Sequence, residues 1–386
     1  MTARSAPLKP RARDLGLDLP GCCGPFNAIT DVPGVLVGFK TLQRPAGSGT
    51  PPVLTGVTAI LPRGFDTHPS PVWAGQYTLN GNGEMTGSHW VRDAGHFLGP
   101  LVITNTHSVG IAHHAATRWI LSHHAEAFAR HHLWAMPVIA ETYDGVLSDI
   151  NGQHVGEDDV LAAIGAAVSG PVAEGNVGGG AGMICYEFKG GTGTSSRRLA
   201  VAGEDFTLGV LVQANHGHRP WLTVLGAPVG RHLERDRIAE MPSERGSIIA
   251  VIATDLPLGP SQLERLARRA ALGIGRGGTP GGNSSGDIFL AFSTANRMDL
   301  PQLSGPWRDM RTLNDELLDP VYLAAVEAVD EAVLNAMLAA EDAPTAKPAG
   351  HVCRALPVKD LLAVLARYGR APLTVPASTP APATGR

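Results

Sequence analysis

A layered α+β domain is the fold class this sequence predicts, on three observations. Apolar, strand-like runs recur along the chain, helical patterns fall between or after them without regular βαβ alternation, and the longest helical pattern comes late, at 321–340. Of 386 residues 44% are apolar and 17% charged, which supports a sizeable core in one large domain. Aromatic residues are scarce at 5%, whereas 47 glycines and 30 prolines imply many tight turns and close backbone approaches.

Residues 1–20 carry scattered basic residues and no sustained pattern, so they read as a loose arm; without an apolar stretch the first 15 are not a secretory signal. Short apolar runs bounded by turn residues predict strands at 35–39, 57–61, 101–104 and 135–141. A helical pattern covers 111–131 and another 158–168. Further strands are expected at 183–188, 208–213, 222–225, 247–253 and 288–292, with helices at 262–272, 321–340 and 359–368. From 371 onward Ala, Pro, Thr and Ser dominate, a composition that buries too little surface to offset its ordering entropy, so 371–386 is expected to be a disordered tail.

The formal net charge of −4 offers no electrostatic argument for nucleic acid or an acidic membrane, and no apolar stretch is long enough to span a bilayer. Four cysteines are too few and too scattered for a disulfide framework, and the adjacent Cys22 and Cys23 read as small buried residues. The expectation is a soluble, cytoplasmic protein.

Several patterns imitate chemistry without its context. Gly273, Gly275 and Gly278 fit G-x-G-x-x-G, but a basic helical segment precedes them where a dinucleotide site needs a strand. The run Gly190 to Ser196 lacks the lysine of a phosphate loop and suits close backbone packing. The doublets His113-His114, His123-His124 and His131-His132 lack the spacing of a zinc hydrolase and read mostly as surface residues of one helix. No G-x-S-x-G elbow occurs.

The run from Glu244 to Asp255 is more informative. A charged segment ends in Gly246-Ser247, and the serine opens an unbroken apolar strand. A hydroxyl so placed can attack the preceding carbonyl, and hydrolysis of the ester leaves an N-terminal serine whose own amine can serve as base. Ser285 and Asp287 stand two apart at the head of another strand, a spacing that aims both the same way. Asn215 sits where an apolar strand ends, and its carboxamide can donate to an oxyanion. Glu141, Tyr143 and Asp144 end the strand at 135–141; one carboxylate there can bind a cationic amine, and the phenol can support the oxyanion.

The segment Ile29-Thr30-Asp31-Val32-Pro33-Gly34-Val35 resembles the opening signature of the L-aminopeptidase/D-esterase (DmpA-like) family, which includes the β-peptidyl aminopeptidases. Further matches are Leu79-Asn80-Gly81-Asn82-Gly83-Glu84, Thr104-Asn105-Thr106-His107, Glu141-Thr142-Tyr143-Asp144-Gly145, Gly175-Asn176-Val177-Gly178 and Phe188-Lys189-Gly190-Gly191-Thr192. The resemblance spans about 14–340 and implies a four-layer αββα sandwich, similar to N-terminal nucleophile hydrolases but with different strand connectivity. It implies one self-processing domain, 1–386, cut at Gly246–Ser247 into 1–246 and 247–386. Carried over by residue, Ser247 is the nucleophile, Ser285 and Asp287 the supporting hydroxyl and acid, Asn215 and Tyr143 the oxyanion stabilisers, and Glu141 the amine anchor. Asp287 and Tyr143 replace a glutamate and an indole of some relatives.

The activity implied is that of a serine aminopeptidase, amidase or esterase acting on small peptides, amides or esters with a free amine. Neither metal nor organic cofactor is implied, and a homo-oligomer is, as a tetramer of cleaved pairs. The base, either the freed Ser247 amine or the Ser285–Asp287 pair, stays open at this level. Rival readings are a strict β-peptidyl aminopeptidase, an uncleaved small-molecule-binding protein of the same fold, and a metal hydrolase.

Overall fold

Strand period decides the architecture. In Ser247–Thr254, Ile248, Ala250 and Ile252 join one core while Ile249, Val251 and Ala253 join another, so the strand is buried on both faces. A strand of this kind belongs in the middle of a layered molecule, and the computed structural model, which describes residues 9–47, 49–238 and 246–370, places it there.

The first sheet holds β1 (Leu36–Arg44), β2 (Val53–Leu61), β5 (Leu101–Asn105) and β6 (Val138–Thr142) in that spatial order. The second runs β4 (His96–Phe97), β3 (Val72–Thr78), β12 (Gly286–Ser293), β11 (Ser247–Thr254), β10 (Glu204–Asn215) and β9 (Gly191–Val201). Between the sheets lie Ile60, Leu101, Ile103 and Val138 from one and Leu211, Ile249, Val251 and Leu290 from the other. Outside the first sheet, α2 (Val109–His123) and α4 (Glu157–Gly165) cover Val57, Ala59 and Val102 with Ala112, Ala115, Val160 and Ile164. Outside the second, α5 (Pro260–Arg276) and α6 (Asp319–Ala339) cover Val210, Ala250 and Phe289 with Leu263, Leu266, Ala325 and Ala332. The order helix, sheet, sheet, helix is the expected αββα sandwich. The remaining helices are α1 (Ser88–Ala94), α3 (Ala125–Arg130) and α7 (Val358–Arg367), and β7 (Ile184–Cys185) pairs with β8 (Phe188–Lys189) as a separate hairpin.

Local chemistry sets the ends. Gly259 precedes Pro260 at the first turn of α5, and the Gln262 side chain accepts the Gly259 N–H at 2.9 Å. α6 lies directly on β9: a Cβ on Gly193 would stand 2.0 Å from the Ala332 carbonyl oxygen, so only glycine permits this approach.

Several sequence-based expectations need correction. β9 and β3 were not anticipated, because one is Gly, Thr and Ser rather than apolar and the other is interrupted by Gly75. Residues 222–225 form no strand, only a bridge between Val224 and Ala227, and 183–188 is a tight hairpin. The helix expected over 111–131 breaks at His124 into α2 and α3. Cys22 is exposed and Cys23 half-buried, contrary to the buried reading. The arm is docked from residue 9 onward: Ala12 is fully buried, Arg11 pairs with Glu174 at 2.7 Å, and Arg13 pairs with Glu331 at 2.9 Å. Buried carboxylates elsewhere in the chain are the reason, since each needs a cation. The tail 371–386 lies outside the described residues.

Candidate active site

Three strand ends meet at one edge of the second sheet. Asn215 closes β10, Ser247 opens β11 and Gly286 opens β12, and the register sets Asn215 opposite Ser247 and Ser247 opposite Gly286. Because side chains alternate, Ser247 shares the inter-sheet face with Ile249 and Val251, and Asn215 shares it with Leu211. Ser247 is 5% exposed. The chain reaches it through a narrow passage: a Cβ on Gly246 would stand 1.9 Å from the Asn215 carbonyl oxygen, so the residue before the serine must be glycine.

Asn215 is fixed at both ends of its carboxamide. Oδ1 accepts the Ile184 N–H at 2.8 Å, and Nδ2 donates to the Tyr143 carbonyl at 3.1 Å. An amide nitrogen carries two hydrogens, so one is held by Tyr143 and the other is left to donate at this edge. Tyr143 meets the site through that carbonyl; its phenol folds back over Gly145 and the residue is 41% exposed.

Ser285 and Asp287 are both buried, and the Ser285 hydroxyl donates to Asp287 Oδ1 at 2.6 Å. Asn80 Nδ2 donates to Asp287 Oδ2 at 3.1 Å and to the Gly282 carbonyl at 3.0 Å. Asn80 thus orients the acid, a part the sequence reading did not give it, although the Leu79 to Glu84 motif contained it.

Glu141 is 4% exposed at the end of β6. Its Oε1 accepts the Glu84 N–H at 2.9 Å and its Oε2 accepts the Thr106 hydroxyl. Burial pushes its pKa above the ordinary glutamate value against those two hydrogen bonds, and the Glu84 charge adds to the rise. The turn at 82–83 ties this carboxylate to the serine edge: a methyl built on Gly83 would stand 3.2 Å from Glu141 Oε1 and 3.5 Å from Gly286 Cα. Asp144, the other carboxylate of this loop, is fully buried and pushed up by burial to about 7.

The histidine beside the site does not make a triad. His216 is 1% exposed, burial lowers its pKa to about 3, and its ring contacts Cys185 Sγ at 3.8 Å and the Tyr186 ring. The doublet His123-His124 docks α2 instead of binding a ligand: the rings pack with Trp119 and bond the Asp66 and Thr67 carbonyls. With His124 only 4% exposed, this pair is not the surface feature the sequence suggested. Gly190 to Ser196 lies largely within β9 and packs under α6. Among the described residues no group of three or more His, Cys, Asp or Glu side chains could hold a metal ion, and no helix is long and apolar enough to cross a membrane.

Known proteins share this architecture and much of the sequence. An L-aminopeptidase D-Ala-esterase/amidase from Ochrobactrum anthropi, a prototype of the serine aminopeptidases and a variant of the Ntn hydrolase fold, is 56% identical, with a TM-score of 0.90 and coverage of 94% of this chain and 99% of its own. A β-aminopeptidase from Burkholderia sp. is 46% identical, with a TM-score of 0.84 and coverage of 93% and 99%. The β-peptidyl aminopeptidase BapA of Sphingosinicella microcystinivorans is 47% identical over 377 residues, 94% of this chain and 93% of the relative. Residues 27–351 match peptidase family S58. The chain belongs to peptidase family S58.

Proposed function

We propose that this chain is a self-processing serine aminopeptidase, with amidase and esterase activity, that removes N-terminal residues from small peptides, amides or esters through an acyl-enzyme on Ser247. The observation that carries it is the three-strand edge, where a glycine-preceded serine faces the inter-sheet side beside the Asn215 carboxamide. In this reading the Ser247 hydroxyl attacks the Gly246 carbonyl, the ester hydrolyses, and the domain becomes 1–246 and 247–386 held in one fold. The same hydroxyl then attacks substrate, with its proton passing to the new amine or handled by Ser285 and Asp287. The Asn215 carboxamide stabilises the oxyanion, Tyr143 acts through its carbonyl by orienting that carboxamide rather than through its phenol, and Glu141 takes the substrate ammonium.

The names of two relatives, a β-peptidyl aminopeptidase and a β-aminopeptidase, support the alternative that the residue removed here is a β-amino acid. Four free cysteines suit a reducing cytoplasm. The family resemblance supports a homo-oligomer, proposed as a tetramer of cleaved pairs.

A denaturing mass spectrum tests the reading. Wild type should give two fragments dividing at Gly246–Ser247 in place of the 40.3 kDa chain, and Ser247→Ala should stay whole and inactive. An intact wild-type chain with full activity refutes it.

A further inference from the structure

The two-residue turn between β7 and β8 is unusual. Tyr186 and Glu187 both have positive φ, 50° and 60°. Such a hairpin turn ordinarily takes glycine or asparagine, so these two side chains are held against their preference, and held strain of this kind clusters where a fold needs a particular geometry.

Arg219 holds the turn in place. It is 1% exposed, its guanidinium lies 3.4 Å over the Phe188 ring, Nε donates to the Tyr186 carbonyl at 2.9 Å, and Nη2 donates to the Glu187 carbonyl at 2.5 Å. Nη1 reaches a different segment, donating to the Leu233 carbonyl at 2.8 Å and the Arg235 carbonyl at 3.2 Å. The strained turn also aims the Glu187 carboxylate at that segment. Arg237 grips it with Nε at 2.6 Å and Nη2 at 3.1 Å, while His218 stands 2.6 Å from the same carboxylate. Asp236, at φ 58°, turns the chain just before Arg237.

Residues 233–237 are thus pinned by two arginines. The pin is continuous with the serine edge, since Tyr186 N–H donates to the His216 carbonyl at 2.7 Å and Ile184 N–H donates to Asn215 Oδ1. Downstream in the chain come Gly246 and Ser247, and Ser247 is fixed between β10 and β12.

We propose that Arg219, Glu187 and Arg237 form a processing clasp that fixes the upstream arm of the cleavage segment, with Arg237 as a positioning residue for self-cleavage. The inference rests on cleavage at Gly246–Ser247. There Ser247 Oγ adds to the Gly246 carbonyl carbon and the bond to the Ser247 nitrogen breaks, the hydroxyl proton ending on the amine. Water then hydrolyses the ester to the Gly246 carboxylate and restores the hydroxyl. An intramolecular attack of this kind depends on holding both sides of the bond, and a 1 Å misplacement can cost ~10²-fold. Once the bond is cut, Arg237 has no scissile bond left to position, and substrate turnover is expected to proceed without its grip.

The test follows full-length chains made by cell-free synthesis, with loss of precursor read on denaturing gels. In Arg237→Ala the Glu187 carboxylate keeps His218 and the Arg219 N–H as partners, and thermal unfolding of each variant is followed alongside; Arg237→Lys keeps the charge without the two-pronged grip. Arg237→Ala should process ~10–100-fold more slowly and Arg237→Lys at an intermediate rate. Turnover of an amino-acid p-nitroanilide, normalised to processed chain, should stay within about twofold of wild type. Processing of Arg237→Ala at the wild-type rate overturns the clasp. So does a parallel fall in processing and normalised turnover, which marks a general brace. A wild-type chain that never cleaves defeats the cleavage reading and the clasp with it.

Discussion

Replacing Glu141 by glutamine isolates the charge that would make this enzyme trim ends instead of cutting internally. In the structure Oε1 takes the Glu84 N–H at 2.9 Å and Oε2 takes the Thr106 hydroxyl. A carboxylate offers about two acceptor sites per oxygen, so each oxygen keeps one for an incoming ammonium. Glutamine preserves the shape: its oxygen can accept from Glu84, and its amide nitrogen can donate to Thr106. Only the charge is lost. With Glu141 4% exposed, the pair it would form with substrate is largely desolvated, and removing one partner of such a pair costs ~2–5 kcal/mol, roughly 30-fold to several thousand-fold.

The assay compares kcat/KM for an amino-acid p-nitroanilide and its N-acetyl form, with wild type and Glu141→Gln, each normalised to processed chain. Wild type should strongly prefer the free amine. The variant should lose most of that preference by slowing on the free amine, without gaining on the acetylated compound. The pH dependence has a definite sign. Since burial raises the Glu141 pKa, falling pH protonates it sooner than an ordinary glutamate, and KM for the free amine should rise as pH drops through that raised value. The same profile should be flat in Glu141→Gln. Equal hydrolysis of both substrates by wild type refutes the anchor and the aminopeptidase specificity it explains.

Two other perturbations follow. Ser285→Ala or Asp287→Asn removes the 2.6 Å hydroxyl–carboxylate bond, and turnover of processed enzyme should fall ~10²–10⁴-fold; near-normal rates in both would move the base to the Ser247 amine. Glu331→Ala should destabilise the fold by ~3–5 kcal/mol in urea unfolding, because Arg13 and Arg197 both pair with this fully buried carboxylate. Burial alone would raise the Glu331 pKa, but the Arg13 hydrogen bond and the Arg197 charge outweigh it and the value is lowered. Its stabilisation is therefore present above the unfolded glutamate value and fades as pH falls through the folded one.

Legibility in the sequence followed burial by apolar side chains. The strand expected at 247–253 coincides with β11 to within a residue, since Ile, Val and Ala fill both faces. β9 was invisible because its burial is polar. Thr194 Oγ1 donates to the Val210 carbonyl, Ser195 Oγ to the Ala328 carbonyl and Ser196 Oγ to Asp31, so hydroxyls lie in a core position with no apolar signal. The arm misled for the matching reason: Arg11 and Arg13 look solvated until Glu174 and Glu331 are placed beside them.

What the sequence alone determined is local. A strand of period two begins at Ser247, a glycine stands before it, and Ser285 and Asp287 share a strand head, because neighbours in the chain fix spacing and side-chain direction. What the tertiary structure decided is which groups meet. Asn80 reaches Asp287 across 207 residues, the Asn215 carboxamide binds the Tyr143 carbonyl across 72, and Glu187 meets Arg237 across 50. Those pairings depend on strand order and register, which are chosen by the burial of whole faces against one another, and no short stretch of residues contains that information.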